Sequence, residues 1–380
     1  MFIVPRLMKP MARILVFLAC LVLMTCSFIT SGCATSRQLR REQPASEILL
    51  DPLHIGIKAD GELGLVDFDA ATLFREGLRL HQTGNCERAL VFYSRIIDEF
   101  KSSRYVSAAT FNAGRCLESV GKTEKAVVAY GMITDSMPRS RDWINAAFRE
   151  SMCLARLDRH AKAADLLSRI LERDKLTVSD RIDALVLHGE AKTMLGELVE
   201  AERSLRTALR IFRKNEREEY LDPAPAARAE FRLAELAERR FLAARLSLPE
   251  DRMKADLEVK ASRLLETQAG YLRTIRYGDP DWASAAGYRI GKLYLALHEA
   301  MQQAPVPEDL SAEEVEVYRD MLKKRTAVLL RKALRVFEMT LDLAERTRSD
   351  NHWTRSAREE MDKVKSRVLS LYEPLPEEGS

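Results

Sequence analysis

The chain has few of the residues on which small, β-rich or catalytic folds depend. Among 380 residues there are six cysteines, six histidines, 16 glycines and 13 prolines, and only 7% are aromatic. So few glycines and prolines argue against many short strands joined by turns. The histidines are scattered, and no HExxH, GxSxG or glycine-rich phosphate loop occurs. We therefore expect no enzyme, no cofactor and no small-molecule substrate.

An excess of charge of one sign is also missing. Basic residues number 60 and acidic residues 57. Three of the basic ones, Arg6, Lys9 and Arg13, lie in the first 13 residues, where no acid occurs. The remainder of the chain is neutral. Because phosphate contacts need a concentrated basic surface, we expect no binding of nucleic acid.

A pattern of small and large residues recurs four times between residues 70 and 208. It is marked by alanines spaced 37, 37 and 38 residues apart: Ala89, Ala126, Ala163 and Ala201. Four positions after each alanine comes a large residue: Tyr93, Tyr130, Leu167 or Leu205. Twelve positions before it comes a small one: Gly77, Gly114, Ser151 or Gly189. A small residue lets a second helix cross closely, so each unit is predicted to be a helix, a turn and a helix.

The turns carry a signal of their own. At one offset in the units stand Gly84, Gly121 and Gly196, with Asp158 in the third copy. A helix C-cap at this place requires positive φ.

The second unit resembles the tetratricopeptide repeat (TPR). Six residues match the family's small, large, small, small, large and terminal-proline positions: Gly114, Leu117, Gly121, Ala126, Tyr130 and Pro138. The other copies match less completely, and a period of 37 exceeds the family's usual period of about 34. The resemblance implies an all-α fold, a right-handed superhelical solenoid of antiparallel helix pairs. Two segments of the first repeats resemble the subgroup found in bacterial envelope lipoproteins: ERALVFYSRIIDEFKSS and KAVVAYGMITDSMPRS.

Residues 1–32 have the organisation of a secretory signal. Basic residues precede an apolar run of 17 residues, Ile14 to Thr30, which is short for a membrane span of about 20. It ends in Thr30-Ser31-Gly32-Cys33, which resembles the lipobox of bacterial lipoproteins, with Thr30 where the family usually has an aliphatic residue. The resemblance implies lipidation of Cys33. Ordinary secretion and an uncleaved membrane anchor are the alternatives.

The residue after Cys33 bears on location. Ala34 stands there, and the absence of Asp at this position resembles lipoproteins that are exported to the outer membrane. We therefore expect an outer-membrane lipoprotein of the cell envelope that faces the periplasm. Its membrane contact would be made by the N-terminal lipid.

The rest of the chain divides by pattern. Residues 33–68 are expected to be a tether whose apolar part docks on the first repeat without regular structure, with a capping strand as the alternative. Residues 69–215 form four TPR-like repeats, beginning at the cap residue Asp69. Residues 216–373 form longer, atypical helical repeats and a capping helix, and 374–380 a disordered tail. Helices are predicted for 225–247, 250–277 and 280–303, with a capping box at Ser311 and a last helix over 353–372.

The C-terminal third carries a second resemblance. Three of its segments resemble the end of envelope TPR proteins of myxobacteria and relatives: GDPDWASAAGYRIGKLY, APVPEDLSAEEVEVY and NHWTRSAREEM. Some members of that group belong to gliding-motility or envelope-assembly complexes. The resemblance therefore implies protein partners in a multi-component envelope complex, of which a motility machine is one kind.

Three cysteines lie in the repeats. Cys116 and Cys153 occupy the same repeat position, where the family has alanine, and we interpret them as small packing residues. Equivalent atoms in successive repeats lie about 9 Å apart, too far for a disulfide. Neither a CxxC motif nor a companion histidine at ligand spacing accompanies Cys86 or the other two. We therefore expect no metal site.

The resemblance also implies a binding surface, because the family's first helices line a concave groove. The positions that would face it hold Phe74, Leu78, Phe111, Arg115, Phe148, Met152 and Arg156. An apolar stripe beside mixed charge suits an extended peptide or helix. The competing interpretation is that the phenylalanines pack between successive helices. The groove could also be filled by residues 48–68 or by the enlarged C-terminal helices.

Two functions agree with these features. The first is a non-enzymatic scaffold or adaptor anchored to the outer membrane, which holds a partner in an envelope complex. The second is an assembly or chaperone-like lipoprotein for outer-membrane proteins or secretins. A stable, stoichiometric complex would favour the scaffold, and transient capture of extended clients would favour assembly.

Overall fold

The computed structural model describes residues 54–57, 63–66, 69–217, 220–307 and 310–370. The predicted signal, Cys33 with most of its tether, and the tail at 374–380 lie outside these residues. Two short strands come first, β1 (His54–Ile57) and β2 (Leu63–Val66). They pair antiparallel, with Gly56 opposite Gly64. The expectation that this segment lacks regular structure is therefore wrong for both strands. Apolar residues recur there at every second position, which is the period of a strand.

Eight helices of similar length follow as four successive pairs. They are α1 (Ala70–Gln82), α2 (Cys86–Glu99), α3 (Val106–Ser119), α4 (Thr123–Ser136), α5 (Trp143–Arg156), α6 (His160–Leu171), α7 (Val178–Met194) and α8 (Leu198–Asn215). Asp69 accepts a hydrogen bond from the Thr72 amide, 2.6 Å away, and so caps α1 as predicted. The turns inside the pairs have positive φ at Gly84, Gly121, Asp158 and Gly196, as the repeat pattern requires.

The helices of a pair cross where the repeat places a small residue beside a large one. A Cβ atom added to Gly114 would lie 2.5 Å from Tyr130 Cε1, and one added to Gly77 would lie 2.8 Å from Tyr93 Cε1. Both tyrosines are fully buried. The glycines therefore allow an aromatic ring to lie directly on the backbone of the preceding helix.

Five longer helices complete the described chain. They are α9 (Ala224–Ala243), α10 (Glu250–Arg276), α11 (Pro280–Gln302), α12 (Ala312–Thr347) and α13 (His352–Ser370). Asp279 caps α11, and Ser311 with Glu314 forms the predicted capping box of α12. The small-over-large contact returns here, because Gly291 on α11 lies against the ring of Phe337 on α12. The architecture is a right-handed superhelical α-solenoid of antiparallel pairs that lengthen toward the C-terminus.

One helix ends earlier than its sequence suggests. Helix α9 stops at Ala243, before the predicted residue 247. Lys260 on α10 donates hydrogen bonds to the carbonyl oxygens of Phe241 and Ala244, at 3.2 and 2.7 Å. A buried ammonium group thus satisfies the last carbonyls of α9 from a neighbouring helix. Among the described residues, no helix combines the length and apolar character needed to cross a membrane.

Candidate functional site

The first helices of successive pairs, α1, α3, α5, α7, α9 and α11, form one side of the superhelix, which we call the concave face. Its predicted aromatic residues are half-buried. The Phe74 ring stacks on Tyr105 with centroids 5.2 Å apart, and the Phe111 ring lies 5.8 Å from Tyr130. Phe148 packs against the buried core that includes Trp143. Part of each phenylalanine is therefore used in packing, and part remains exposed to solvent.

Four of the seven predicted residues meet around one small cavity. Phe111, Arg115, Phe148 and Met152 border a volume of about 250 Å³ between α3 and α5. Phe74 and Leu78 lie one repeat earlier and are half-buried. The aromatic row does not continue at the surface of the fourth repeat, because the equivalent position holds Val186, which is 1% exposed.

Arg156 has a structural partner as well as a place on the concave face. Its guanidinium donates to Glu118, 2.9 Å away, and the Tyr130 hydroxyl donates to the same carboxylate over 2.7 Å. Burial would raise the pKa of Glu118, but the hydrogen bonds from Tyr130 and Arg156 and the charge of Arg149 lower it below its usual value. The carboxylate therefore stays ionised and holds α3 against α4 and α5.

A larger cavity follows along the same face. It has a volume of about 640 Å³ and is bordered by α5, α6, α7, α9 and α11. Met152 and Arg156 line its near end, so it adjoins the smaller cavity. Apolar side chains at its edge are exposed to solvent, Met194 by 61% and Leu242 by 53%. Five arginines and three glutamates supply its charge: Arg156, Arg228, Arg232, Arg239, Arg289, Glu190, Glu235 and Glu238.

A ladder of ion pairs runs along one wall of this cavity. Glu190 on α7 accepts from both Arg228 and Arg232 on α9, with Nε to Oε1 distances of 2.6 and 2.7 Å. Arg232 continues to Glu235 over 2.7 Å. Arg289 on α11 donates to Glu235 over 2.9 Å. Arg228 pairs with both oxygens of Glu190, and bidentate pairing of this kind fixes the plane of a guanidinium group as well as its charge.

The ladder ends at a buried acid. Burial raises the pKa of Glu238, although a hydrogen bond from the Tyr271 hydroxyl and the charge of Arg289 oppose the shift. Burial alone would lower the pKa of Arg232, but Glu190 and Glu235 outweigh it, and the net pKa is raised. The arginines of the wall therefore keep their charge inside the cavity.

Two arginines of the cavity have hydrogen-bond donors that the described residues leave unused, one buried and one exposed. The Nε atom of Arg289 is buried and has no hydrogen-bond partner in the part of the chain that the structure describes. Arg239 borders the cavity at an exposed position, and its side chain makes no ion pair with any described residue. Because Arg156 is paired with Glu118, four arginines face three glutamates here, and this excess of one positive charge favours a ligand that carries negative charge.

This ladder was not predicted from the sequence, although two signals for it are present. Arg228, Arg232, Glu235, Arg239 and Leu242 recur at spacings of one helix face. Glu190 and Arg228 are also 38 residues apart, which matches the spacing of Glu118 and Arg156. Ion pairs between successive first helices thus follow the repeat period.

A cluster of potential metal ligands was also not predicted. The sequence pattern predicts no metal site, because no histidine lies at ligand spacing from a cysteine. The structure nevertheless brings His81 close to Cys86 and Cys116. The three residues come from α1, α2 and α3, so the fold assembles them and no local motif announces them.

Comparisons with known proteins give only distant likenesses to solved structures. No family model matches the chain, and no curated protein matches it. Among solved structures, the apo form of RapI covers 79% of this chain and 99% of its own, with 10% identity and a TM-score of 0.43. A tetratricopeptide repeat protein from Parabacteroides merdae covers 79% and 98%, with 14% identity and a TM-score of 0.38. MamA from Desulfovibrio magneticus RS-1 covers 53% and 96%, with 18% identity and a TM-score of 0.36.

The described helix pairs define the class more directly than these likenesses do. Positive-φ turns, glycines under buried tyrosines and stacked first helices recur from pair to pair. The protein has a TPR-like, helical-repeat solenoid fold, and the sequence-based prediction of its fold class is confirmed.

Proposed function

We propose that the protein is a non-enzymatic scaffold that binds a partner protein along its concave face. The observation that carries this proposal is the arginine-lined cavity of about 640 Å³, which continues the row formed by Phe111, Phe148 and Met152. Its exposed apolar edge supplies area to bury, and its arginines supply directional donors. An extended segment that carries acidic side chains next to apolar ones would complement both.

The mechanism is recognition by a preformed surface. The ladder from Glu190 to Glu238 fixes Arg228, Arg232 and Arg289 before any partner arrives, so little side-chain entropy is lost on binding. Arg239 is the exposed group of this wall with donors to spare. The partner's acidic side chains would bind there, while its apolar side chains would contact Met194 and Leu242.

This surface is tested with exposed residues whose replacement leaves the core intact. Arg239→Glu and Leu242→Asp change the cavity edge, and Arg203→Glu and Val199→Asp make the same chemical changes at exposed positions on α8. We expect crosslinking and co-purification of a stoichiometric envelope partner to be lost with the first two variants only. Equal recovery of the partner with all four variants would contradict the proposal.

We further propose that the scaffold is a lipoprotein of the outer membrane that serves a multi-protein envelope complex, of which motility is one candidate process. The basic and apolar leader and the Thr30-Ser31-Gly32-Cys33 sequence support this location. We expect Cys33→Ala to abolish incorporation of labelled fatty acid and to release the protein from membranes. Retention in the membrane without lipid would instead favour an uncleaved Ile14 to Thr30 anchor.

An assembly or chaperone-like function is the second candidate. Met152 and Met194 line the large cavity, and flexible methionine side chains adapt to varied apolar ligands. Transient crosslinks to several unfolded outer-membrane proteins or secretins, without a stable complex, would favour this function over the scaffold.

A further inference from the structure

Two thiols and an imidazole converge where α1, α2 and α3 meet. His81 lies in the last turn of α1, Cys86 is the first residue of α2, and Cys116 lies in α3. One potential ligand atom from each residue lies within 4.8 Å of the other two. Cys116 is fully buried and Cys86 is 7% exposed. Their surroundings keep out the water that would otherwise compete for such a cluster.

Hydrogen bonding leaves this cluster incomplete. The Nδ1 atom of His81 is buried and has no hydrogen-bond partner among the described residues, and the same is true of the Tyr93 hydroxyl. The Tyr93 ring meets the His81 ring edge-on, with centroids 6.4 Å apart. Nearby, the Ser119 hydroxyl donates to Cys86 Sγ over 3.0 Å. Buried polar atoms without partners are rare in folded proteins, so the unpaired imidazole nitrogen beside two thiols points to a ligand.

We propose that His81, Cys86 and Cys116 bind a thiophilic d¹⁰ cation, Zn²⁺ or Cu⁺. Thiolate and imidazole are the donors that both ions prefer, and no carboxylate belongs to the cluster that would favour Mg²⁺ or Ca²⁺. Ordinary Zn–S and Zn–N bonds are about 2.3 and 2.0 Å long, so small rotations of the three side chains bring the donors into range. Binding releases one proton from each thiol, and two thiolates with a neutral imidazole balance the charge of Zn²⁺.

The site would join the first pair of helices to the second. Two of its ligands belong to α1 and α2, and the third belongs to α3. The α1–α2 pair has a neighbouring helix pair on one side only among the described helices, so a tie to α3 stabilises the end of the array. This role is independent of the partner-binding surface on α5 to α11.

The repeat supplies a matched control. Cys153 occupies the same repeat position as Cys116 and is equally buried. The positions in its own repeat boundary that correspond to His81 and Cys86 hold Glu118 and Thr123. Cys153 therefore has the chemistry of Cys116 without the other two ligands.

The test is metal uptake by the full, reduced chain. Zn²⁺ is titrated against a chromogenic chelator, Cu⁺ against a Cu⁺-specific one, and Co²⁺ serves as a spectroscopic probe of thiolate ligation. We compare wild type, His81→Ala, Cys86→Ala, Cys116→Ala and Cys153→Ala. Circular dichroism confirms that each variant is helical before metal is added. Cys20, Cys26 and Cys33 are replaced by serine in all five proteins, so that the thiols present are those of the repeats.

We expect wild type and Cys153→Ala to bind one equivalent of Zn²⁺ or Cu⁺ with equal affinity and to show thiolate-to-Co²⁺ charge-transfer bands. Each of the other three variants should bind at least about tenfold more weakly. Metal should also raise the Tm of wild type and Cys153→Ala but not of Cys116→Ala. The proposal is overturned if Cys116→Ala binds both ions as tightly as wild type does. Recovery of Cys86 and Cys116 as a disulfide, with no metal uptake after reduction, would overturn it as well.

Discussion

The two halves of the solenoid are built by one packing rule but present different chemistry. Helices α1 to α8 are 12 to 18 residues long, and α9 to α13 are 19 to 36. Gly114 lies under Tyr130 in the first half, and Gly291 lies under Phe337 in the second. The concave face changes from half-buried aromatic rings to an arginine-lined cavity. Packing thus determines the array, while surface residues determine what each part can bind.

The largest expected effect tests the shared packing rule. Gly114→Ala and Gly291→Ala each place a methyl group against a buried aromatic ring, and we expect each to lower the free energy of unfolding by about 2 to 3 kcal/mol. Gly131→Ala is the control, because its Cβ would meet only Glu150 Oε1, at 3.6 Å. That change should stabilise the helix by about 0.5 to 1 kcal/mol. Urea unfolding measures all three, and a neutral Gly291→Ala would show that the second half packs differently.

A smaller effect is expected at the ladder that distinguishes the second half. Glu190→Gln leaves Arg228 and Arg232 without their shared carboxylate, and we expect the free energy of unfolding to fall by about 2 kcal/mol. The loss is no larger because both arginines are partly exposed to solvent. Glu202→Gln is the control, because Glu202 forms an i,i+4 pair with Arg206 on the surface. Glu202→Gln should lower the free energy of unfolding by less than about 0.5 kcal/mol. Equal losses for both variants would mean that the ladder is only surface charge.

The smallest expected change in stability comes from Asp183, where the two halves meet. Burial, together with Asp180 and Asp222, raises the pKa of Asp183 to about 6 from its usual 3.8. The folded protein therefore holds this proton more tightly than the unfolded chain does, so the stability that Asp183 contributes falls as the pH rises from about 4 to about 6.

Replacing Asp183 tests the sign of this linkage. We expect Asp183→Asn to have little effect at pH 4 and to stabilise the protein by about 1 kcal/mol at pH 7, after allowance for solvent screening. Thermal unfolding across this range measures the difference, with the exposed Asp165→Asn as control. A difference that does not change with pH would contradict the assignment.

The sequence predicted the parts of the fold that follow from local rules. The caps at Asp69, Asp279 and Ser311 and the positive-φ turns need only neighbouring residues, and the glycine contacts repeat with the period. The early end of α9 was missed because the group that caps it, Lys260, lies on another helix. Strand structure before the first repeat was given only as the alternative, because a strand of four residues shows the two-residue period no more than twice.

The candidate site was predictable only where it follows the repeat. Phe111, Arg115, Phe148 and Met152 were found because equivalent positions recur, and the structure brings them to one cavity. The large cavity depends on pairs such as Arg289 with Glu235, which are 54 residues apart in helices of unequal length. The cluster of His81 with Cys116 likewise joins two helices. No local pattern determines such contacts, because they depend on how the helices are stacked.

One measurement tests the central claim, that the concave face is a single binding surface across both halves. A photo-crosslinking amino acid is placed in living cells at Met152, where the cavities adjoin, at Leu242 on the arginine side, and at Val128 and Val199 on the second helices α4 and α8. We predict that Met152 and Leu242 crosslink to the same partner in a stable complex and that the two control positions do not. Crosslinks to that partner from Val128 and Val199 alone would contradict the account and place the binding surface on the opposite side of the solenoid.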